Sequence, residues 1–269
     1  MSPWERLLEK PDARGHLVQF HAPADESALI KNVGFYLAEG LKRGEGAVVI
    51  ATASHRERFT AELDRLGARS EAAILENRLF LVDAQETAPR LMVNGRPDWD
   101  RFEAVLSSII GHVLPAKDSA GLRAYGEIVS VLWNARQFAA AIRLEQFWNK
   151  LLAHSSFKLY CSYQIDVMDK NFEADALDGV LSTHTHLMPS ATNGHLDAAI
   201  DLAMDEILGA EAKHLKAHIK ANEQPSWALM PKGESMILAL RKALPEQAEH
   251  ILARAREHYR QSTCLPGCP

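Results

Sequence analysis

Up to about residue 165, short runs rich in β-branched and aromatic residues alternate with longer segments whose apolar positions recur every three or four residues. The short runs predict five strands, at His16 to Phe20, Ala47 to Thr52, Leu79 to Val82, Leu122 to Tyr125 and Lys158 to Tyr163. The longer segments predict helices at Glu26 to Lys42, Ser54 to Leu66 with Ser54 as N-cap, Trp99 to Leu114 and Ala139 to Leu152. Strands joined by crossover helices build a parallel or mostly parallel sheet, so the fold class is α/β.

The pattern changes near Thr192 to Gly194. Beyond it no convincing strand remains, and helical periodicity marks Leu196 to Ala221, Glu234 to Ala243 and Glu246 to Arg260. Pro225, Pro231 and Pro245 punctuate these stretches where helices stop or start. Residues 1–192 are therefore expected to form an α/β domain and 193–269 an all-helical extension.

A chain of 269 residues with 47% apolar content can build one large core or two modest ones. Its longest apolar runs, such as Gly46 to Thr52, fall far short of the roughly 20 residues needed to cross a bilayer. The charged start MSPWERLLEK has no leader pattern. Three cysteines, Cys161, Cys264 and Cys268, do not make a secreted disulfide framework, so the expected location is the cytoplasm. A net charge of -5 offers no global field for nucleic acid. Twelve histidines invite metal or haem hypotheses, to be judged residue by residue.

The segment from His16 to Thr52 has the layout of a nucleotide-binding βαβ unit, but its loop reads His21-Ala22-Pro23-Ala24-Asp25-Glu26-Ser27. A working phosphate loop uses glycines to let backbone N–H groups cradle phosphates, and a lysine to hold them. Neither is present. Asp25 and Glu26 would instead repel a triphosphate, so ATPase activity is not expected. A nucleophile elbow, a zinc-protease helix and a dinucleotide turn are likewise missing, and the expected class is a regulator and not an enzyme.

The runs HLVQF and LAEGLKRGEGAVVIAT resemble the opening of RecA/KaiC-like domains, with the loop as the departure. The stretches RLFLVDAQETAPRLMVNGRPDWDRF, AYGEIVSVLW, AAIRLEQFWNKL, FKLYCSY and STHTHLMP, in that order, resemble the MEDS domain, the sensory domain of the DcmR type. The resemblance spans roughly residues 16 to 190. It implies a ligand-sensing relative of the RecA/KaiC fold with a degenerate phosphate loop. A repressor of that kind would need a helix-turn-helix segment, and only about fifteen residues precede the first strand here. The basic residues of the C-terminal helices are interleaved with Glu206, Glu211, Glu234, Glu246, Glu249 and Glu257, the pattern of a solvated surface.

In open α/β sheets ligands sit beyond the carboxyl ends of the strands. That rule selects His21, Asp83, Glu127, Cys161 and Tyr163, with His184 and His186 arriving on a later segment and Trp133 as an apolar wall. Glu127 has a plain alternative as a helix-capping carboxylate, and Cys161 as a small core residue. His184 and His186, two residues apart on an extended segment, would share a face and are the weak metal candidates. Glu211, His214 and His218 share a helix face, and His250 and His258 lie further on, but solvated charge is the better reading. Cys264 and Cys268 have no frame to fix a bond between them.

The resulting expectation is a sensory protein that binds a small molecule at the strand ends and signals through its C-terminal helices to a protein partner or a dimer mate. No cofactor is assigned, and neither membrane nor nucleic acid is an expected partner. The alternatives are a transcriptional regulator using the C-terminal helices, and a metal-dependent sensor or enzyme using His184 and His186.

Overall fold

Each expected strand forms, and the order in which they pair decides where a ligand can sit. The computed structural model describes residues 2–12, 15–23, 26–113, 121–155, 157–169, 174–190, 194–221 and 229–263, with the side chains of 174–176, 218–221 and 263 excluded. Asp25, Cys264, Cys268 and the side chain of His218 lie outside the described residues.

In chain order, α1 (Pro3–Glu9) is followed by β1 (His16–His21), α2 (Ser27–Lys42), β2 (Gly46–Ala51), α3 (Ala53–Arg65), α4 (Ser70–Leu75) and β3 (Leu79–Asp83). The short α5 (Ala84–Thr87) runs into a 3₁₀ turn and the small hairpin β4 (Met92–Val93) and β5 (Arg96–Pro97), then α6 (Trp99–Gly111), β6 (Leu122–Gly126), α7 (Ile128–Asn134), α8 (Phe138–His154) and β7 (Phe157–Gln164). Last come α9 (Ala174–Leu181), β8 (His186–Met188) and four helices, α10 (His195–Leu208), α11 (Glu211–Ala221), α12 (Lys232–Ala243) and α13 (Pro245–Thr263).

Six strands form one all-parallel sheet in the order β3-β2-β6-β7-β1-β8. All six residues of β2, in its interior, are buried, as a strand covered on both faces requires. Helices α2, α3 and α4 cover one face, around Tyr36, Leu37, Phe59 and Leu63. The other face packs on α6, α7, α8 and α9 around Phe102, Leu144, Trp148 and Val180. The neighbouring strands β1 and β7 thus send their next helices, α2 and α9, to opposite faces. Between two such strands a crevice opens at the carboxyl ends.

The C-terminal helices continue the second apolar layer: Leu196, Ile200, Met236, Ile237, Ile251 and Leu252 join the same buried cluster as Leu181 and Leu187. Polar ties reinforce it. Arg241 donates to the Asp169 carbonyl at 2.6 Å, Arg256 pairs with Asp166 at 2.9 Å, and Glu234 accepts from the Ser190 amide and hydroxyl at 2.7 and 2.6 Å. No helix among the described residues is long and apolar enough to cross a membrane.

Three details depart from the sequence expectation. The helix after β2 starts at Ala53 with Thr52, not Ser54, as the N-cap residue: Thr52 is extended, with ψ of 159°, and its carbonyl accepts the first helical bond, from the Arg56 amide at 2.9 Å, while its own amide goes to the Glu127 carboxylate at 2.5 Å. The single helix expected from Leu196 to Ala221 breaks at Gly209, whose φ of +54° suits glycine, and Lys216 folds back to Asp205 at 2.9 Å and Asp201 at 3.2 Å. The strand β8 has only three residues, too few for an alternating pattern to show.

Candidate functional site

Alternation along β1 and β7 sends successive side chains to opposite faces, and each face receives a polar cluster. The first lies at the carboxyl ends, on the side of α2 and α3. Glu127 follows the last residue of β6 and is 3% exposed, so its charge must be met locally. Its Oε1 accepts the Thr52 amide at 2.5 Å, while Oε2 lies 2.6 Å from His55 Nδ1 and accepts the Tyr125 hydroxyl at 3.1 Å. Tyr125 in turn shares a 2.6 Å bond with Ser162. His55 enters from the first turn of α3, and its Nε2 is 3.4 Å from Glu26, which also holds Arg58.

Burial favours neutral forms here, but mutual attraction outweighs it. The Glu127 carboxyl is held below its usual range by His55 and the Thr52 amide, and the Glu127 and Glu26 carboxylates hold His55 above its own. This is a compensated ion pair. His21, at the end of β1, faces His55 with ring centroids 5.9 Å apart, and burial, followed by that positive neighbour, pushes its pKa down to about 4. Its Nδ1 is buried with no hydrogen-bond partner among the described residues.

The second cluster lies under the sheet against α8, entirely buried. His16 opens β1, Cys161 sits in β7, Glu145 projects from α8, and His184 comes from the turn before β8. His16 Nε2 is 3.3 Å from Glu145 Oε2 and 3.4 Å from Cys161 Sγ, and Cys161 Sγ is 3.7 Å from Glu145 Oε2. His184 Nε2 is 3.5 Å from Glu145 Oε1, yet it makes no hydrogen bond. The two imidazole rings lie 4.0 Å apart. The far nitrogens are anchored: His16 Nδ1 by Asn149 Oδ1 at 2.9 Å and the Thr183 carbonyl at 3.1 Å, His184 Nδ1 by the Val180 carbonyl at 2.7 Å. Tyr163 donates to Glu145 Oε1 at 2.8 Å. Although burial opposes it, His184 and His16 hold the Glu145 carboxyl far below its usual range. Burial and then the Glu145 charge push the Cys161 thiol well up.

The residues expected at one pocket thus divide between two. His21 and Glu127 meet at the strand ends on the side of α2 and α3, whereas Cys161, Tyr163 and His184 lie on the opposite face, beneath the sheet, with only Tyr163 near the carboxyl end of its strand. Asp83 caps α5 through the Gln85 and Glu86 amides at 2.8 and 3.0 Å and pairs with Arg56 at 3.0 Å, which is a structural role. Trp133 is a core ring, stacked edge-on against Phe138 and Tyr163. His184 and His186 do not share a site: His186 is half-buried on the edge strand, its Nδ1 3.0 Å from the Thr185 hydroxyl, and it stands outside the histidine, cysteine and glutamate cluster. The chain leaves the extended state at the turn containing His184, so the same-face rule for alternate residues does not apply. On the C-terminal helices, Glu211 and His214 are exposed, and no ligand cluster forms there among the described residues.

Sequence reasoning missed His16, Glu145, Asn149, His55 and Glu26. For Glu145 a signal existed, because it falls on the stripe Ala141, Leu144, Trp148, Leu152 that α8 buries, where an acid needs partners. A separate open groove of about 1330 Å³ lies between the hairpin and the α7–α8 turn, lined by Met92, Arg96, Leu132, Arg136, Phe138 and Arg143 among others.

Compared with known families, the chain matches the family described as MEDS: methanogen/methylotroph, DcmR sensory domain, over residues 16–185. That stretch holds both clusters complete. A comparison with curated proteins finds no significant match.

Proposed function

The chain belongs to the MEDS family of sensory domains, and from that premise we propose that it is a non-catalytic regulator that binds a small neutral molecule at the crevice between β1 and β7. The observation that supports this most is the buried, unpartnered Nδ1 of His21 beside the fully compensated Glu127–His55 pair. An unmet buried polar atom is costly, by about 1–3 kcal/mol, and a ligand hydroxyl or carbonyl placed against it recovers that cost. A charged ligand gains nothing from a pair already neutralised, and Glu26 and Glu127 repel phosphates. We read the loop between β1 and α2 as a phosphate loop of a RecA/KaiC-like ancestor that has lost its glycines and lysine, so that ATP is not the ligand.

The output runs through the C-terminal helices to a protein partner or a second copy. Gln19 of β1 donates to the Pro189 carbonyl at 3.0 Å, and the next residue, Ser190, is held by Glu234 of α12. A ligand that favours one position of β1 over another is thereby linked to α12, provided its affinity differs between the two. DNA contact by the same helices is disfavoured, since Arg254 pairs with Glu206 and Glu257, Lys232 with Asp201 and Arg241 with Glu249.

Native mass spectrometry of the purified chain, set against its denatured mass, tests the reading. A small-molecule adduct lost in His21→Leu supports it. An adduct kept in His21→Leu but lost in Phe138→Ala would move the ligand to the groove and overturn it, as would a chain that carries no adduct and is not stabilised by any of a panel of small alcohols, ketones and halocarbons.

A further inference from the structure

The cluster beneath the sheet has no part in that reading, and its geometry is that of a ligand set. We infer that His16, Glu145, Cys161 and His184 form a closed four-coordinate site for a zinc ion. The four donor atoms all lie within 4.8 Å of one another. His16 Nε2, Cys161 Sγ and Glu145 Oε2 form a triangle with sides of 3.3, 3.4 and 3.7 Å, and His184 Nε2 stands 3.5 Å from the other carboxylate oxygen, Oε1. Zinc bonds of roughly 2.0–2.3 Å set a tetrahedron whose edges are about 3.3–3.8 Å, so three donors already stand at ligand spacing and the fourth faces them across the same carboxylate.

Orientation agrees with spacing. Both histidines have Nδ1 fixed by an oxygen, His16 by Asn149 and Thr183 and His184 by Val180, which turns each Nε2 inward, as the oxygens behind metal-bound histidines do. His184 Nε2 is buried and without a hydrogen bond, an acceptor left facing the centre. Charge agrees as well. One thiolate, one carboxylate and two neutral imidazoles sum with a divalent cation to zero, which is what an apolar interior tolerates. Nitrogen and sulfur donors in a tetrahedron select zinc over magnesium or calcium, and four protein ligands leave no open position for catalysis. The ion is structural: it ties β1 and β7 to α8 and to the turn that leads into the edge strand β8.

The test uses the full chain prepared without chelator. Elemental analysis is expected to find about one zinc per chain. Metal-stripped protein titrated with Co²⁺ is expected to show the intense visible bands of a four-coordinate ion and a thiolate-to-cobalt charge-transfer band. Cys161→Ser should lose that charge-transfer band, and Cys161→Ser and His184→Gln should each weaken zinc binding by more than the roughly 10–100-fold that loss of a residue merely orienting a ligand costs. His186→Ala should keep both zinc and spectrum. Wild-type protein that holds no zinc and takes up neither Zn²⁺ nor Co²⁺ at stoichiometric concentration overturns the inference, and needs no variant to fold. So does a Cys161→Ser chain with unchanged metal content and an unchanged Co²⁺ spectrum.

Discussion

Acid should destabilise this protein through His21, and the size follows from its burial. The imidazole has an ordinary pKa of 6.5 and one of about 4 in the folded chain. A base whose folded pKa is depressed binds its proton later in the folded state than in the unfolded one, so stability falls as pH drops through the interval. A gap of about 2.5 units at ~1.36 kcal/mol each is about 3 kcal/mol, of which roughly 2 is lost between about pH 7 and pH 4.5. The neighbouring pair does not mask this. The His55 pKa is raised, so its contribution is complete below 6.5 and flat there; the Glu127 pKa is lowered, so its contribution is complete above about 4.5 and vanishes only under stronger acid. Urea denaturation of wild type and His21→Leu at about pH 7 and about pH 4.5 isolates the effect, because every other group is common to both. Near neutrality the variant should already be no less stable than wild type, since the nitrogen it removes is buried without a partner among the described residues. Between about pH 7 and about pH 4.5 the difference in its favour should widen by about 2 kcal/mol. Parallel pH profiles would mean that His21 is not held neutral at the strand ends.

Two further outcomes follow from the same physics. Glu127→Gln removes the carboxylate that most raises His55, so an NMR titration of the His55 imidazole should show a lower pKa than wild type; an unchanged value would mean that Glu26 alone holds it. Arg123 is fully buried, bound to Glu45 at 2.5 Å and to the Leu8, Tyr36 and Glu9 carbonyls at 2.8, 2.7 and 2.9 Å, so it anchors α1 to the sheet. Arg123→Met leaves Glu45 and three carbonyls short of a donor, and urea denaturation should show a loss of about 3–5 kcal/mol; a loss under 1 kcal/mol would contradict that role.

The sheet was legible because its longer strands are short runs rich in β-branched and aromatic residues, and GAVVIA of β2 is buried at every position, as a strand covered on both faces must be. What escaped were elements too short for a period to register, such as β8 and α5, and breaks that depend on one backbone angle, as at Gly209. The strand-end rule led to His21 and Glu127, which do lie there, but it also drew in Cys161 and His184. Their true neighbours come from positions far apart in the chain: His16 is 145 residues from Cys161, and His184 meets Glu145 only because α8 packs beneath β1. No spacing rule along a sequence links four residues that each come from a different element. Glu145 was the exception, an acid on a buried stripe, and it alone gave notice of a polar centre under the sheet.

A ligand at the strand ends should be felt by the C-terminal helices. Hydrogen–deuterium exchange of the full chain, with its co-purifying small molecule retained and then removed, tests it most directly. With the ligand bound, exchange should slow at residues 16–21 and 51–55, and also at 186–190 and across α12. Protection confined to the strand ends with α12 unchanged, or centred on residues 92–97 and 135–143 of the groove, would contradict it.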